Sequence, residues 1–211
     1  RKLIKTRRGD IGAKALILAL GSTRERLMVP GEEELLGRGV SYCATCDGPL
    51  FRGRKVAVIG GGDAAVTEAL FLSKFASKVY LVHRRDELRA VKALQEKLFK
   101  EDKIEVIWNR VVDEMEGEEI LKALKLRDTR SGDIESLPVD GVFIAIGHRP
   151  NTEILRNILE LTPDGYIPVN DRMETNIPGV FACGDVRYNS ARQAITACGD
   201  GATASIWAER F

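Results

Sequence analysis

Apolar residues along the chain come in short continuous runs. Ala15-Leu16-Ile17-Leu18-Ala19-Leu20-Gly21, Lys55-Val56-Ala57-Val58-Ile59, Lys78-Val79-Tyr80-Leu81-Val82-His83, Gly141-Val142-Phe143-Ile144-Ala145-Ile146-Gly147 and Gly179-Val180-Phe181-Ala182-Cys183-Gly184-Asp185 all have strand length. Without polar alternation, such runs suit parallel strands covered on both faces. From Asp63 to Ala76 the spacing becomes helical, with Ala65, Ala69, Leu72 and Ala76 on one face. Residues 55–83 therefore predict strand, helix, strand. A further helix is expected from Glu87 to Phe99, then a strand from Ile104 to Trp108. The pattern changes over 111–137, where Val111–Gly117 and Ala123–Asp128 read as meander strands joined by polar turns. Gly165–Val169 predicts another strand, and residues 192–210 an amphipathic helix. A charged strand, Lys2–Thr6, and a turn at Arg8-Gly9-Asp10 open the chain. This alternation of strands and helices is that of an α/β, doubly wound protein.

Composition narrows the function classes. With 211 residues, 44% of them hydrophobic, the chain can bury a core and form one or two domains. Its 32 basic and 31 acidic residues balance, so nothing points to nucleic acid or an anionic membrane surface. The longest apolar run, Ala13–Leu20, is broken by Lys14 and falls short of the roughly 20 residues of a bilayer span. No signal-peptide pattern follows Arg1-Lys2-Leu3-Ile4-Lys5. Cysteines at 43, 46, 183 and 198 are too sparse for a disulfide framework; they suggest a cytosolic protein with one redox or metal pair and two incidental thiols.

Gly60-x-Gly62-x-x-Ala65 follows a strand and opens a helix. The first glycine permits the tight turn, the second lets backbone approach a pyrophosphate, and Ala65 is small enough for helix–strand packing. Phosphates would sit on the helix N-terminus, where free N–H groups and the dipole favour anions. The next strand ends at His83-Arg84-Arg85, with Arg89 beyond. An NAD site would place a carboxylate there; guanidinium groups suit the 2′-phosphate of NADP(H). Cys43-Ala44-Thr45-Cys46 admits zinc, a structural disulfide or a cycling dithiol. Zinc needs a second ligand pair, which Cys183 and Cys198 do not form, and the dithiol is the favoured reading. Asp47, next to the pair, is either a turn residue or a proton donor and acceptor. Cys183 and Cys198 are expected to pack as small hydrophobes. Trp108 and Trp207 are expected in the core or an interface, without chemistry.

The ordered set Val29-Pro30-Gly31-Glu32, Cys43–Gly48, Gly60–Ala65, His83-Arg84-Arg85-Asp86, Ile146-Gly147-His148-Arg149-Pro150-Asn151, Pro178–Asp185 and Arg192-Gln193-Ala194-Ile195-Thr196 resembles the low-molecular-weight, bacterial-type thioredoxin reductases over nearly the whole chain. The resemblance implies two Rossmann-like domains of the pyridine nucleotide-disulfide oxidoreductase type. An NADPH domain, residues 26–148, would be inserted in an incomplete FAD domain, residues 1–25 and 149–211. It implies cofactor contacts from Gly60, Gly62, Asp63, Ala64, Ala65, His83, Arg84, Arg85, Arg89, Ile146 and Gly147 for NADPH, and from Gly184, Asp185, Val186, Arg192, Gln193, Ala194 and Ile195 for FAD. Cys46 would face the flavin, Cys43 would attack the thioredoxin disulfide, and Asp47 would be the acid/base. Electrons would pass from NADPH through FAD to Cys43–Cys46 and on to thioredoxin, in a cytoplasmic homodimer. The family's own N-terminal glycine turn for FAD is missing from these residues, so the chain is expected to be a reductase without that portion. Two alternatives stand beside this reading. One is the flavoprotein reductase of a peroxiredoxin (alkyl hydroperoxide) system, although Ala44-Thr45 favours the thioredoxin enzyme. The other is a flavin-free, catalytically silent NADPH-binding module.

Overall fold

The computed structural model describes residues 2–211. The backbone divides into two compact units. One holds the residues up to Arg24 together with His148–Phe211; the other is the continuous segment Glu25–Gly147.

The chain starts in the first unit with an antiparallel hairpin, β1 (Lys2–Thr6) and β2 (Gly9–Ala13), followed by β3 (Leu16–Leu18) and β4 (Ser22–Arg24). In the second unit come β5 (Val40–Ser41), α1 (Ala44–Asp47), a one-turn helix at Gly48–Phe51, β6 (Lys55–Ile59), α2 (Asp63–Leu72), β7 (Lys78–Val82), α3 (Lys92–Leu98) and β8 (Ile104–Ile107). The meander β9 (Arg110–Gly117), β10 (Leu121–Asp128) and β11 (Ile134–Pro138) follows, then β12 (Gly141–Ile144). Back in the first unit are β13 (His148–Pro150), β14 (Val180–Ala182) and α4 (Ala194–Glu209).

The second unit is built on a five-stranded parallel sheet in the order β5-β12-β6-β7-β8. This is the Rossmann-like arrangement that the continuous apolar runs called for. Val56 and Val58 of β6 pack with Ala65, Val66, Ala69 and Leu72 of α2 on one face. Ala57 and Ile59 pack with Val112, Met115, Leu124 and Leu126 of the meander on the other. Both faces of β6 are thus covered, and a polar residue at alternate positions would be buried without a partner. In the first unit β14 pairs in parallel with β3, and β13 pairs antiparallel with β4. Leu18, Ile167, Val180, Ala182 and Val186 form its main core.

Three elements depart from the sequence expectation. The helix expected over Glu87–Phe99 begins only at Lys92, because the N–H groups of Arg89 and Ala90 donate to the Gly61 carbonyl at 2.8 and 3.1 Å and cannot join a helical ladder. Gly165–Val169 is no strand: Ile167 makes a single bridge to Arg187, and Pro168 lacks the donor a ladder needs. β11 completes the meander although most of its side chains are exposed, since one edge strand suffices to cover β10.

Candidate functional site

The cysteine pair lies in the second unit. Cys43 caps α1, and Cys43 and Cys46 are joined as a disulfide with Cα atoms 5.3 Å apart. Cys46 is exposed and Cys43 half-buried. The Asp47 Oδ2 accepts a hydrogen bond from the Ser41 hydroxyl at 2.6 Å, and the Ser41 Oγ in turn accepts from the Cys43 N–H at 3.0 Å. Asp47 is therefore linked through buried Ser41 to the backbone of the first cysteine. Sequence reasoning missed Ser41; a hydroxyl two residues before a cysteine carries no signal until the turn of α1 brings Asp47 back over it.

Beyond the dithiol, β6 runs into the glycine turn. A Cβ at Gly60 would meet the Ala145 carbonyl at 2.4 Å and Ala65 at 2.8 Å, so only glycine closes this turn. At Gly62 nothing lies within 4 Å. No side chain caps α2 from Gly62, which leaves its first N–H groups available. A dinucleotide pyrophosphate fits that opening: the space is clear where the phosphate would approach, and the helix N-terminus favours its charge. The turn borders a cleft of about 570 Å³, which Gly61, His83, Arg84, Arg89 and Ile146 also line. Arg110 and Arg127 of the meander form a further side, each ion-paired: Arg110 with Asp128 and Glu135, Arg127 with Asp113. These meander arginines carried no motif and were not foreseen. Ala64 is exposed at the head of α2, and Arg85 is exposed beside Arg84 but is not part of the cleft lining.

His83 occupies a different place from the arginines that follow it. It is buried, and a Cβ on Gly61 would fall 2.3 Å from its ring atoms. The indole of Trp108 meets it edge-on, with centroids 6.3 Å apart. Burial pushes its pKa below the ordinary value, against hydrogen bonding to the backbone of Glu87 and Gly60. A neutral imidazole thus braces the glycine turn from beneath, and Trp108 braces the imidazole.

The first unit has its own cleft, about 410 Å³, between β3, β14 and the start of α4. Gly21, Gly184, Asp185, Arg192, Gln193 and Ala194 contribute to its walls. Gly184 adopts φ +74°, which turns Asp185 toward this space; Val186 is buried behind it and Ile195 is exposed. The Arg192 guanidinium donates to the Tyr166 hydroxyl at 3.0 Å. Gln193 and Thr196 form a reciprocal cap at the head of α4. Polar groups around a shallow, partly apolar wall fit the edge of a flavin. Among the described residues, the strand–glycine-turn–helix unit that would grip a pyrophosphate belongs to the other unit.

Two residues support this cleft that sequence reasoning passed over. Buried Asp200 accepts from the Arg187 guanidinium at 2.5 and 3.0 Å and from the Gly184 N–H at 3.2 Å. This pair also corrects the expectation for Cys198. Arg187 draws Asp200 to the buried side of α4, so Cys198, two positions earlier, lies exposed rather than packed. Cys183 is buried as expected, and burial, helped by Asp200, pushes its thiol pKa up.

Comparison with known proteins follows the same lines. The family model described as "Pyridine nucleotide-disulphide oxidoreductase" matches residues 1–201. A thioredoxin reductase of Peptoclostridium litorale is 46% identical, covering 100% of this chain and 69% of its own length. One of Streptomyces coelicolor is 51% identical over 94% of this chain and 62% of its own length. The crystal structure of thioredoxin reductase from Streptococcus pyogenes superposes with a TM-score of 0.92 at 44% identity, over 97% of this chain and 67% of that one. The chain thus spans 62–69% of the length of these curated relatives. Thioredoxin reductases of this family use FAD and NADPH. Similarity of this extent, over a disulfide and a glycine turn carried by one unit, shows that the chain belongs to the thioredoxin reductase family of pyridine nucleotide-disulphide oxidoreductases.

Proposed function

We propose that the chain is the larger part of an NADPH-dependent thioredoxin-disulfide reductase. The observation that carries this reading is the Cys43–Cys46 disulfide at the head of a short helix, in the same unit as a glycine turn whose cleft bears Arg84 and Arg89. The guanidinium groups of Arg84, Arg85 and Arg89 suit a 2′-phosphate, and Gly60, Gly62 and the head of α2 suit the pyrophosphate. In the first unit, the Gly184–Val186 turn and the Arg192–Ile195 segment would hold FAD, which supplies two-electron transfer between the nicotinamide and the disulfide.

Once the pair is reduced, the Cys43 thiolate attacks one sulfur of the thioredoxin disulfide. A mixed disulfide forms and one thioredoxin thiolate leaves. Cys46 then attacks Cys43, restoring the Cys43–Cys46 bond and releasing the second thiolate; two electrons have passed to thioredoxin. Asp47, held by Ser41, stands next to Cys46 to take and return the proton as thiol and thiolate interchange. The protein substrate is thioredoxin, the relatives' namesake. The same reading includes a cytoplasmic homodimer; among the described residues no helix is long and apolar enough to cross a membrane.

The test is NADPH-dependent reduction of thioredoxin by the full-length protein. Cys46→Ser is expected to abolish turnover while NADP+ binding persists. Full activity in that variant would sink the dithiol assignment.

A further inference from the structure

Between β7 and α3, residues 84–91 have no regular structure, yet they carry all three arginines assigned to the 2′-phosphate. Something must set their position. The start of the loop is pinned from the β8–β9 connection, where the Asn109 N–H donates to the Arg85 carbonyl at 3.2 Å and the Arg110 N–H to the His83 carbonyl at 3.0 Å. Its end hangs from the glycine turn. The Gly61 carbonyl accepts from Arg89 and Ala90, and the Asp63 Oδ1 accepts from the Val91 N–H at 2.8 Å. Gln95 ties down the Leu88 and Ala90 carbonyls at 3.3 and 2.7 Å from the far side. Of the anchors coming from the turn, only Asp63 acts through a side chain.

A carboxylate in the first turn of α2 is otherwise out of place. It complements the helix dipole, but it adds negative charge where the pyrophosphate would sit. Its commitment to Val91 explains it. We propose that Asp63 is a positioning residue for nucleotide selectivity, tying the arginine loop to the glycine turn so that the subsites for pyrophosphate and 2′-phosphate keep a fixed spacing. The inference rests on the NADPH reading above and deepens it: Asp63 acts through the loop backbone, not by touching the nucleotide.

The test uses the full-length protein, with NADP+ and NAD+ binding measured by calorimetry and amide exchange followed over residues 84–91. Asp63→Ala is expected to weaken NADP+ about tenfold, roughly 1.4 kcal/mol, while NAD+ shifts less than about threefold. The Arg89–Val91 amides should exchange faster in that variant. Asp63→Asn keeps an acceptor oxygen and loses the charge, so it should hold NADP+ affinity within about threefold of the parent and keep the loop protected. A dipole role alone predicts the opposite, with Asn behaving like Ala. Parallel loss of both dinucleotides in Asp63→Ala, or unchanged loop exchange, overturns the role of Asp63 and leaves the NADPH reading standing. A parent protein that binds NAD+ as tightly as NADP+ overturns the NADPH reading, and the selectivity role with it.

Discussion

Glu32 and Glu68 are both carboxylates removed from water, and their surroundings drive them in opposite directions. Burial pushes Glu32 up, but hydrogen bonds from Tyr42 and the backbone N–H groups of Leu27, Met28 and Val29 outweigh it, leaving its pKa below the ordinary 4.5. Those bonds also hold Met28 at φ 60°, a left-handed conformation that costs a side-chain-bearing residue on the order of 1 kcal/mol. Glu32→Ala is expected to destabilise the protein by about 2–4 kcal/mol in denaturant melts, because several donors lose their acceptor together. Since the folded pKa lies below the unfolded one, the Glu32 contribution is complete above about pH 4.5 and disappears as pH falls through the folded value. Half-buried Glu68 on α2 has a buried oxygen without a hydrogen-bond partner, and burial raises its pKa to about 7. Its penalty grows as pH rises from 4.5 toward 7. Glu68→Gln should therefore stabilise the protein at pH 8 by on the order of 1 kcal/mol, discounted for partial exposure, and the gain should vanish below about pH 4. A pH series of melting midpoints for both variants checks the opposite slopes.

At the scale of elements, the strands that read most plainly in the sequence are those covered on both faces. Val56-Ala57-Val58-Ile59 needs no tertiary knowledge to be recognised, because each of its residues must be apolar whichever way it points. The start of α3 and the Gly165–Val169 segment depart from their local pattern for the converse reason. Their local pattern permits a helix and a strand, but the backbone donors of Arg89 and Ala90 and the missing donor of Pro168 are spent or absent. α4 carries the clearest phase error, with charged Asp200 inside and Cys198 outside. There the ion pair between buried Asp200 and the partly exposed Arg187 sets the helix face. Asp200→Ala leaves the Arg187 guanidinium and the Gly184 N–H without their acceptor. It should cost about 2–3 kcal/mol of stability in the first unit and loosen the Gly184–Val186 turn, visible as faster amide exchange there. An unchanged melt would show the pair to be incidental.

For the molecule as a whole, the second unit is continuous in sequence and has a core on each face of its sheet, whereas the first is assembled from two separate segments. Residues 25–147 expressed alone are therefore expected to fold cooperatively and to bind 2′,5′-ADP more tightly than 5′-AMP. Circular dichroism and calorimetry check this, and a molten or non-binding fragment would refute it. The sequence by itself determined the α/β class, the glycine turn, the arginines after β7 and the cysteine pair. Each rests on local constraint: backbone closure at Gly60, strand burial on both faces, or chemistry held within a few residues. Only the tertiary structure decided that Ser41 links Asp47 to Cys43, that His83 lies beneath the turn, that Asp63 holds the arginine loop and that Asp200 faces inward. Those roles depend on which groups the folded chain brings into contact, and contacts made by the turn of the backbone or by packing leave no periodicity to read.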